Sequence, residues 1–425
     1  MKKMIRFLCL TFSIVTISTL SIAQWIQTGF PTTLIHALAV SPASGGTGST
    51  NLFAGMSRSG VFLSTNNGTS WTQVNTGLTN TTVYALAVSP ASGGTGSTNL
   101  YAGTDGGVFL STNNGTNWST LNTGLTSTTV IALAVAGTNL FAGTIHGVFL
   151  STNNGSMWAQ TGLTSSTVIA LAVSPASGGT GSTNLFAGIG GGVLLSTNDG
   201  TSWTQVYTCS LTTNVGAFAV SPASGGTGST NLFAGTTDGV FLTTNNGTSW
   251  TQVDSGLTST YVNAFVASGT TLFAGTDGGV FLSTNNGTSW SAASTGLTYP
   301  YVGALAVSPA SGGTGSTNLF AGTDDGVWRR PLSEMITGIE DKHDEVPLSF
   351  ALAQNYPNPF NPTTSIRYQL PARSFVSLKV YDELGREVQT LVSEQLNAGD
   401  HSAVFNAINL SSGVYFYCLQ AGNYT

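Results

Sequence analysis

Six of the ten charged side chains between residues 24 and 333 occur at one point of a repeated pattern, just before a Gly-Val dipeptide. They are Arg58, Asp105, Asp238, Asp277, Asp324 and Asp325, and His146 takes the same place in one repeat. Three tyrosines, Tyr261, Tyr299 and Tyr301, lie in the segments that precede two of these repeats. Aromatic rings with nearby carboxylates can hold a sugar, a peptide or a cation. We therefore predict that these ten residues lie on one ligand-binding face.

Two alternatives to a binding face stay open. Asp is favoured in turns because its side chain bonds its own backbone, so turn chemistry alone could place these residues, and it is the simpler cause. Asp277 and Asp324 could also form the carboxylate pair of a polysaccharide-active hydrolase or lyase. We expect a non-catalytic binding or scaffold module for a glycan or protein ligand, and we assign no catalytic residue, metal site or cofactor.

The composition excludes several classes of protein. Charged residues make up 7% of the 425 residues, and the formal net charge is −6; an ordinary soluble domain is about 25% charged. Residues 24–333 contain no Lys and only three Arg, so a nucleic-acid groove is not expected. With 54 glycines and 40% hydrophobic residues, the chain is too rich in poor helix formers for a helical protein and too apolar for a disordered one.

Internal repetition provides the scaffold for these side chains. Copies of Asn-Leu-Phe-Ala-Gly, with small variations, begin at Asn51, Asn99, Asn139, Asn184, Asn231, Thr271 and Asn318. Their spacing of 40 to 48 residues is typical of propellers and helical arrays. Each unit has four short β-type runs bounded by Gly and Asn, and five units add an identical Ser-Pro-Ala-Ser-Gly-Gly-Thr-Gly-Ser-Thr insertion. The pattern therefore predicts an all-β fold, a seven-bladed β-propeller over residues 24–333.

The N-terminal segment is predicted to close the ring. The seventh unit departs from the pattern after Arg330, whereas residues 24–29 align with the start of the outer strand in other units. We expect Trp25 and its neighbours to supply the missing outer strand of the last blade, which leaves no open edge.

Six units carry the motif Ser/Thr-Thr-Asn-Asn/Asp-Gly-Thr/Ser-x-Trp at residues 64–71, 111–118, 151–158, 196–203, 243–250 and 283–290. This motif resembles the Asp-box, or BNR, repeats found in sialidases, sortilin-type receptors and many secreted propellers. The resemblance implies a turn between the third and fourth strands, with a polar side chain bonded to the turn backbone, Gly at positive φ and Trp between blades. The structural residues implied are Asn66, Gly68, Trp71, Asn113, Gly115, Trp118, Asn153, Gly155, Trp158, Asn198, Gly200, Trp203, Asn245, Gly247, Trp250, Asn285, Gly287 and Trp290.

Two departures limit what the resemblance implies. Asn stands where the family usually has Asp, and a neutral amide cannot supply the charge of a calcium site. Sialidase-like members need several Arg with a Tyr/Glu pair, but residues 24–333 contain three Arg and no Glu. The resemblance therefore extends to the fold and not to that activity.

The composition changes after Arg330. Residues 334–348 form an acidic linker, and residues 349–425 contain short strand-like runs at 364–370, 375–381, 387–392, 402–406 and 413–420 that suggest a small Ig-like β-sandwich. Its Tyr-Pro-Asn-Pro-Phe-Asn-Pro opening, Gly-Arg-Glu-Val at residue 385 and Leu-Ser-Ser-Gly-Val-Tyr-Phe-Tyr at residue 410 resemble the C-terminal sorting domain of type IX (Por) secretion cargo. The family usually ends with a further strand, so we expect that this domain is truncated at its C-terminus.

The N-terminus is predicted to be a secretory signal peptide over residues 1–23, with Lys2, Lys3 and Arg6 before an apolar run and a cut before Gln24. Together with residues 349–425, which are expected to contact the type IX machinery, it predicts a secreted or cell-surface protein. No transmembrane span is expected in the mature chain.

Overall fold

The structure is a computed structural model that describes residues 24–30, 33–42, 50–90, 98–175, 183–222, 230–308, 317–336, 350–352, 363–396, 399–407, 410 and 413–421. The predicted signal peptide, most of the acidic linker and of the five insertions, and the Tyr-Pro-Asn-Pro segment lie outside the described residues. The chain divides into two compact units, Met1–Thr337 and Gly338–Thr425.

The first unit contains seven sheets of four antiparallel strands, which confirms the predicted propeller. The first strand, β1 (Ile26–Gln27), belongs to the last blade. Blade 1 consists of β2 (Ile35–Pro42), β3 (Thr50–Met56), β4 (Gly60–Ser64) and β5 (Thr72–Gln73); blade 2 of β6 (Val83–Pro90), β7 (Thr98–Thr104), β8 (Gly107–Ser111) and β9 (Ser119–Thr120); blade 3 of β10 (Val130–Ala136), β11 (Asn139–Thr144), β12 (Gly147–Ser151) and β13 (Ala159–Gln160). Blade 4 consists of β14 (Val168–Pro175), β15 (Thr183–Ile189), β16 (Gly192–Ser196) and β17 (Thr204–Thr208); blade 5 of β18 (Val215–Pro222), β19 (Thr230–Thr236), β20 (Gly239–Thr243) and β21 (Thr251–Gln252); blade 6 of β22 (Val262–Ser268), β23 (Thr271–Thr276), β24 (Gly279–Ser283) and β25 (Ser291–Ala292).

Blade 7 is built from both ends of the unit. Its order is β1, β28 (Gly326–Pro331), β27 (Asn318–Thr323) and β26 (Val302–Ser308), so the N-terminal strand supplies the outer strand as predicted. Trp25 is 2% exposed and its indole nitrogen donates to the carbonyl of Ala293 at 2.7 Å. A short 3-10 helix, Leu332–Glu334, follows β28, and Met335 and Ile336 pack in the same core as Trp25. The packed region therefore reaches Ile336, three residues beyond the predicted boundary.

The hydrophobic core lies between blades because each blade has apolar side chains on both faces of its sheet. Seven separate clusters fill the seven gaps between neighbouring blades. In each second strand the Leu-Phe-Ala segment, which is Leu-Tyr-Ala in blade 2, is almost completely buried, for example Phe53 and Ala54 at 0% exposure. The repeated Asn-Leu-Phe-Ala-Gly string therefore marks the strand of each blade that packs in the core.

The second unit is a small two-sheet domain, consistent with the predicted Ig-like sandwich. One sheet has the order β29, β30, β33 and the other the order β32, β31, β34. Their bounds are β29 (Ala351–Leu352), β30 (Thr363–Leu370), β31 (Ser374–Tyr381), β32 (Glu387–Leu396), β33 (Gly399–Asn406) and β34 (Phe416–Ala421). Ile366 and Leu370 from one sheet share a buried cluster with Leu378 and Leu419 from the other.

Candidate functional site

Every innermost strand of the propeller contains a β-bulge next to its first residue. The register with the second strand shifts at the same position in all seven blades. The bulged residues are His36, Tyr84, Ile131, Ile169, Gly216, Asn263 and Gly303. A bulge re-aims a side chain out of the ladder, and these seven residues therefore ring one mouth of the central channel.

The loops between second and third strands lie at the same mouth. In five blades a Thr at the end of the second strand braces the loop. The hydroxyl of Thr104, for example, donates to the carbonyl of Gly107 at 2.9 Å and accepts from the backbone nitrogen of Gly106 at 2.9 Å. The same pair of bonds occurs at Thr144, Thr236, Thr276 and Thr323. In these five blades two residues lie between the Thr and the Gly, and we call them the first and second loop positions. Their side chains differ from blade to blade.

Side chains at the first loop position turn toward the bulged residues. Asp277 accepts a hydrogen bond from the amide of Asn263 at 2.8 Å. Asp105 forms a hydrogen bond with Tyr84. These two carboxylates are exposed, whereas Asn263 and Tyr84 are half-buried.

Tyr301 and Asp324 extend this arrangement across blade 7. Burial raises the pKa of the Tyr301 hydroxyl, and the carboxylates of Asp277 and Asp324 raise it further. The Tyr301 ring occupies the space beside Gly303, where an added Cβ would lie 3.1 Å from the ring carbon Cε1. Tyr301 thus takes the place of the bulge side chain that blade 7 lacks.

His36 is in blade 1 and interacts with residues of both neighbouring blades, Asp324 of blade 7 and Tyr84 of blade 2. Its ring lies 5.6 Å from the ring of Tyr84, centroid to centroid. Burial lowers the pKa of His36, and the carboxylate of Asp324 opposes that shift only in part. At pH 7 the imidazole is therefore neutral. Burial also raises the pKa of Tyr84, with a smaller effect from its bond to Asp105.

These contacts define a polar arc on blades 6, 7, 1 and 2. It consists of Asn263, Asp277, Tyr301, Asp324, His36, Tyr84 and Asp105. Four of the predicted residues belong to it: Asp105, Asp277, Tyr301 and Asp324. Sequence reasoning missed Asn263, His36 and Tyr84 as parts of this group because a β-bulge leaves no residue signature. A comparison of equivalent positions among the repeats would have singled them out, since this position varies widely while it is always preceded by Val or Ile and followed by Ala.

Side chains at the second loop position form a different group, the anchored set of His146, Asp238 and Asp325. His146 Nδ1 lies 3.2 Å from the Ser127 hydroxyl, and Asp325 accepts from the Thr298 hydroxyl at 3.1 Å. Asp238 accepts from Thr213. Each partner lies in the connection that leads into the same blade, so these three residues fasten loops to each other.

Three predicted residues belong to neither group. Arg58 is exposed and adopts a left-handed backbone conformation with φ of 62°. Tyr299 and Tyr261 are 50% and 44% exposed. The backbone of Tyr261 accepts from the Asp277 nitrogen at 3.3 Å, which places this tyrosine beside the polar arc.

The six Asn-containing turns lie between third and fourth strands. In each, the first hydroxyl donates to the Asn side-chain oxygen and accepts from the Gly nitrogen, as in Ser64 with Asn66 at 3.0 Å and Gly68 at 2.9 Å. The same bonds recur in the other five turns at 2.8–3.0 Å. The residue before each Gly also has positive φ, for example Asn67 at 55°. Asn-Gly is suited to this backbone because both residues tolerate the left-handed region.

No group of three or more His, Cys, Asp or Glu side chains in the described ranges is arranged to hold a metal ion. Cys209 and Cys418 are both free thiols.

Several solved structures are similar to the chain in fold. The extracellular domain of a B. thetaiotaomicron protein assigned to a one component system matches with a TM-score of 0.55 at 15% identity, over 73% of this chain and 40% of that one. The GH74 xyloglucanase from Xanthomonas campestris matches with a TM-score of 0.55 at 18% identity, over 73% of this chain and 54% of that one. YCF48 bound to D1 peptide matches with a TM-score of 0.50 at 14% identity, over 73% of this chain and 96% of that one. The chain thus spans about half or less of the first two relatives, and at these identities the likeness shows the fold alone.

Residues 354–425 match the family of secretion system C-terminal sorting domains. The C-terminal unit carries a type IX sorting domain. This domain directs export to the cell surface or the extracellular space. No curated protein matches the chain in sequence.

The sorting domain contains a turn held by one carboxylate. Asp382 accepts from the backbone nitrogens of Leu384 and Arg386 at 3.0 and 2.9 Å, and from Arg386 Nε at 2.8 Å. The bond from the Arg386 nitrogen is the main reason that the pKa of Asp382 is lowered. Asp382 and Arg386 therefore hold the hairpin between β31 and β32. Across the parts of both units that the structure describes, no helix has the length and apolarity of a membrane span.

Proposed function

We propose that the chain is synthesised with a signal peptide over residues 1–23 and exported as a non-catalytic propeller that binds a glycan or protein ligand at the polar arc. The observation that carries this proposal is the concentration of half-buried aromatic and polar side chains on four adjacent blades. Turn chemistry accounts for the anchored set, whose side chains bond to neighbouring loops. It does not account for Tyr84, His36 and Tyr301, which lie outside the turns.

The composition supports binding in preference to catalysis. The propeller has no Glu and no Lys between residues 24 and 333, so the side chains that could act as a general acid or base there are Asp, His and Tyr together with the thiol of Cys209. The sorting domain adds export, which places the mouth of the propeller where extracellular ligands occur.

A direct test uses the purified full chain on a glycan array and on a displayed peptide library. We expect a retained ligand, and we expect Tyr301→Ala to reduce its binding strongly. The matched control is Asp199→Asn, in the blade 4 turn, where the other five turns already have Asn. Binding that is unaffected by Tyr301→Ala would contradict the assignment of the ligand to this arc.

A second candidate is a polysaccharide-active hydrolase or lyase that uses Asp277 and Asp324. Both carboxylates raise the pKa of Tyr301, so they border a single ring on blades 6 and 7. One fold relative is a xyloglucanase. A screen for reducing ends or unsaturated products on a panel of polysaccharides tests this candidate, and turnover abolished by Asp277→Asn or Asp324→Asn would replace the binding proposal.

A further inference from the structure

The mouth of the channel has two chemically different halves. Blades 6, 7, 1 and 2 carry the polar arc, whereas the bulged residues of blades 3 and 4 are Ile131 and Ile169. In a ring of seven blades, blades 3 and 4 lie opposite blade 7. The half-buried isoleucines therefore face Tyr301 and Asp324 across the opening.

Between blades 4 and 6 the two halves are separated by an open notch at blade 5. An added Cβ at Gly216 would meet a single atom within 4 Å, the Val262 carbonyl oxygen at 3.6 Å. Gly303 is the other bulged glycine, and its space is filled by Tyr301. On the apolar side, Ile145 in the blade 3 loop is 40% exposed. At Gly216 the mouth thus has unfilled space, with the apolar side chains on one side and Asn263 on the other.

The carboxylates of the polar arc are not neutralised by the basic residues of the propeller. Arg329 donates to the carbonyl of Asn67 at 2.8 Å, and Arg330 is 7% exposed and donates to the carbonyls of Ala293 and Glu334. Arg58 is exposed, and neither of the described ion pairs includes it. The described ion pairs lie in the C-terminal unit.

We propose that this mouth binds an amphipathic cation, namely a lysine or arginine side chain of a peptide whose neighbouring residue is apolar. This inference rests on the proposed binding function and selects a peptide in preference to a neutral glycan. The rings of Tyr84 and Tyr301 and the three carboxylates attract the cation. Ile131, Ile169 and the Gly216 notch receive the apolar neighbour. Neutral sugars would satisfy the polar arc but would leave the isoleucine half unused.

The test is selection of a randomised heptapeptide display library on the full chain, with a set of neutral oligosaccharides on an array in parallel. We expect enrichment of peptides with Lys or Arg beside Ile, Leu, Val or Phe. Replacement of that Lys or Arg by Gln should weaken binding about tenfold, the effect of one well-placed charge contact. The double variant Asp277→Asn/Asp324→Asn should lose the enrichment, whereas Asp199→Asn, which removes a carboxylate at an outer turn, should keep it.

Two further outcomes have different meanings. Retention of neutral oligosaccharides or of peptides without a basic residue, abolished by Tyr301→Ala, would overturn the cation inference and leave the proposed binding function intact. Retention of nothing, or retention indifferent to Tyr301→Ala and to the double Asp variant, would overturn both.

Discussion

The outer turns and the channel mouth of this propeller follow opposite rules. The six turns share the Ser/Thr, Asn and Gly of one motif, and the hydrogen bonds among these three residues agree in length within 0.2 Å. At the mouth, the bulge is repeated in every blade but its residue changes from His to Tyr, Ile, Gly or Asn. The two loop positions change as well, from Asp-Gly in blades 2 and 6 to Ile-His in blade 3 and Asp-Asp in blade 7. Repetition therefore marks the residues that build the scaffold, whereas variation at a structurally fixed position marks residues available for recognition.

The largest effect is expected from the tryptophans of the outer turns. Trp118 is 6% exposed and donates to the carbonyl of Val74 in blade 1 at 2.7 Å. Trp118→Ala should cost about 4 kcal/mol of unfolding free energy, because it leaves a cavity between blades. Trp203 is the control, since it is half-buried and donates to Gly200 of its own turn. Calorimetry should show a clearly smaller loss for Trp203→Ala, and equal losses would contradict this ranking.

Glycine in the outer turns should rank second. Gly115 has φ of 83°, and an added Cβ would lie 2.7 Å from Val74 Cγ2. Gly115→Ala should cost about 3 kcal/mol, from backbone strain together with overpacking. Gly137 has φ of 61° but nothing within 4 Å of an added Cβ, so Gly137→Ala isolates the strain at about 1 kcal/mol. Denaturant midpoints of the two variants check the difference, and the idea fails if they coincide.

A pH effect is expected at the mouth and not at the turns. Burial lowers the pKa of His36 below 6.5 in the folded chain. As the pH falls, His36 is therefore protonated in the unfolded chain before it is protonated in the folded chain. The stability contributed by neutral His36 is therefore present above pH 6.5 and decreases as the pH falls below it. His36→Gln should show a smaller loss of melting temperature between pH 7.5 and pH 5.5 than the unchanged chain. An identical loss in both would refute this expectation.

The smallest effect on stability is expected from the carboxylates of the polar arc. Asp277 and Asp324 are exposed, so Asp277→Asn and Asp324→Asn should each change the unfolding free energy by about 0.5 kcal/mol or less. The same variants are expected to change ligand binding strongly. A loss of several kcal/mol would show that these side chains belong to the scaffold, and the distinction between turns and mouth would then fail.

Much of this protein was determined by its sequence. The seven repeats predicted seven blades, and the alignment of residues 24–29 with the outer strands predicted ring closure through Trp25, both of which the sheet order confirms. These predictions succeed because strand period, turn residues and repeat length are local properties of the chain. The motifs of the sorting domain could be recognised in the sequence for the same reason.

The grouping of side chains at the mouth depends on tertiary contacts that the sequence does not show. The sequence grouped Asp105, Asp277 and Asp324 with His146, Asp238 and Asp325, because all follow the same strand. The fold separates them, since adjacent loop positions point to different partners: the bulged residues in one case and the inter-blade connections in the other. His36 and Asp324 are almost 300 positions apart in sequence, and only closure of the ring brings them together. A ring makes its first and last blades neighbours, and no local pattern in the chain contains that contact.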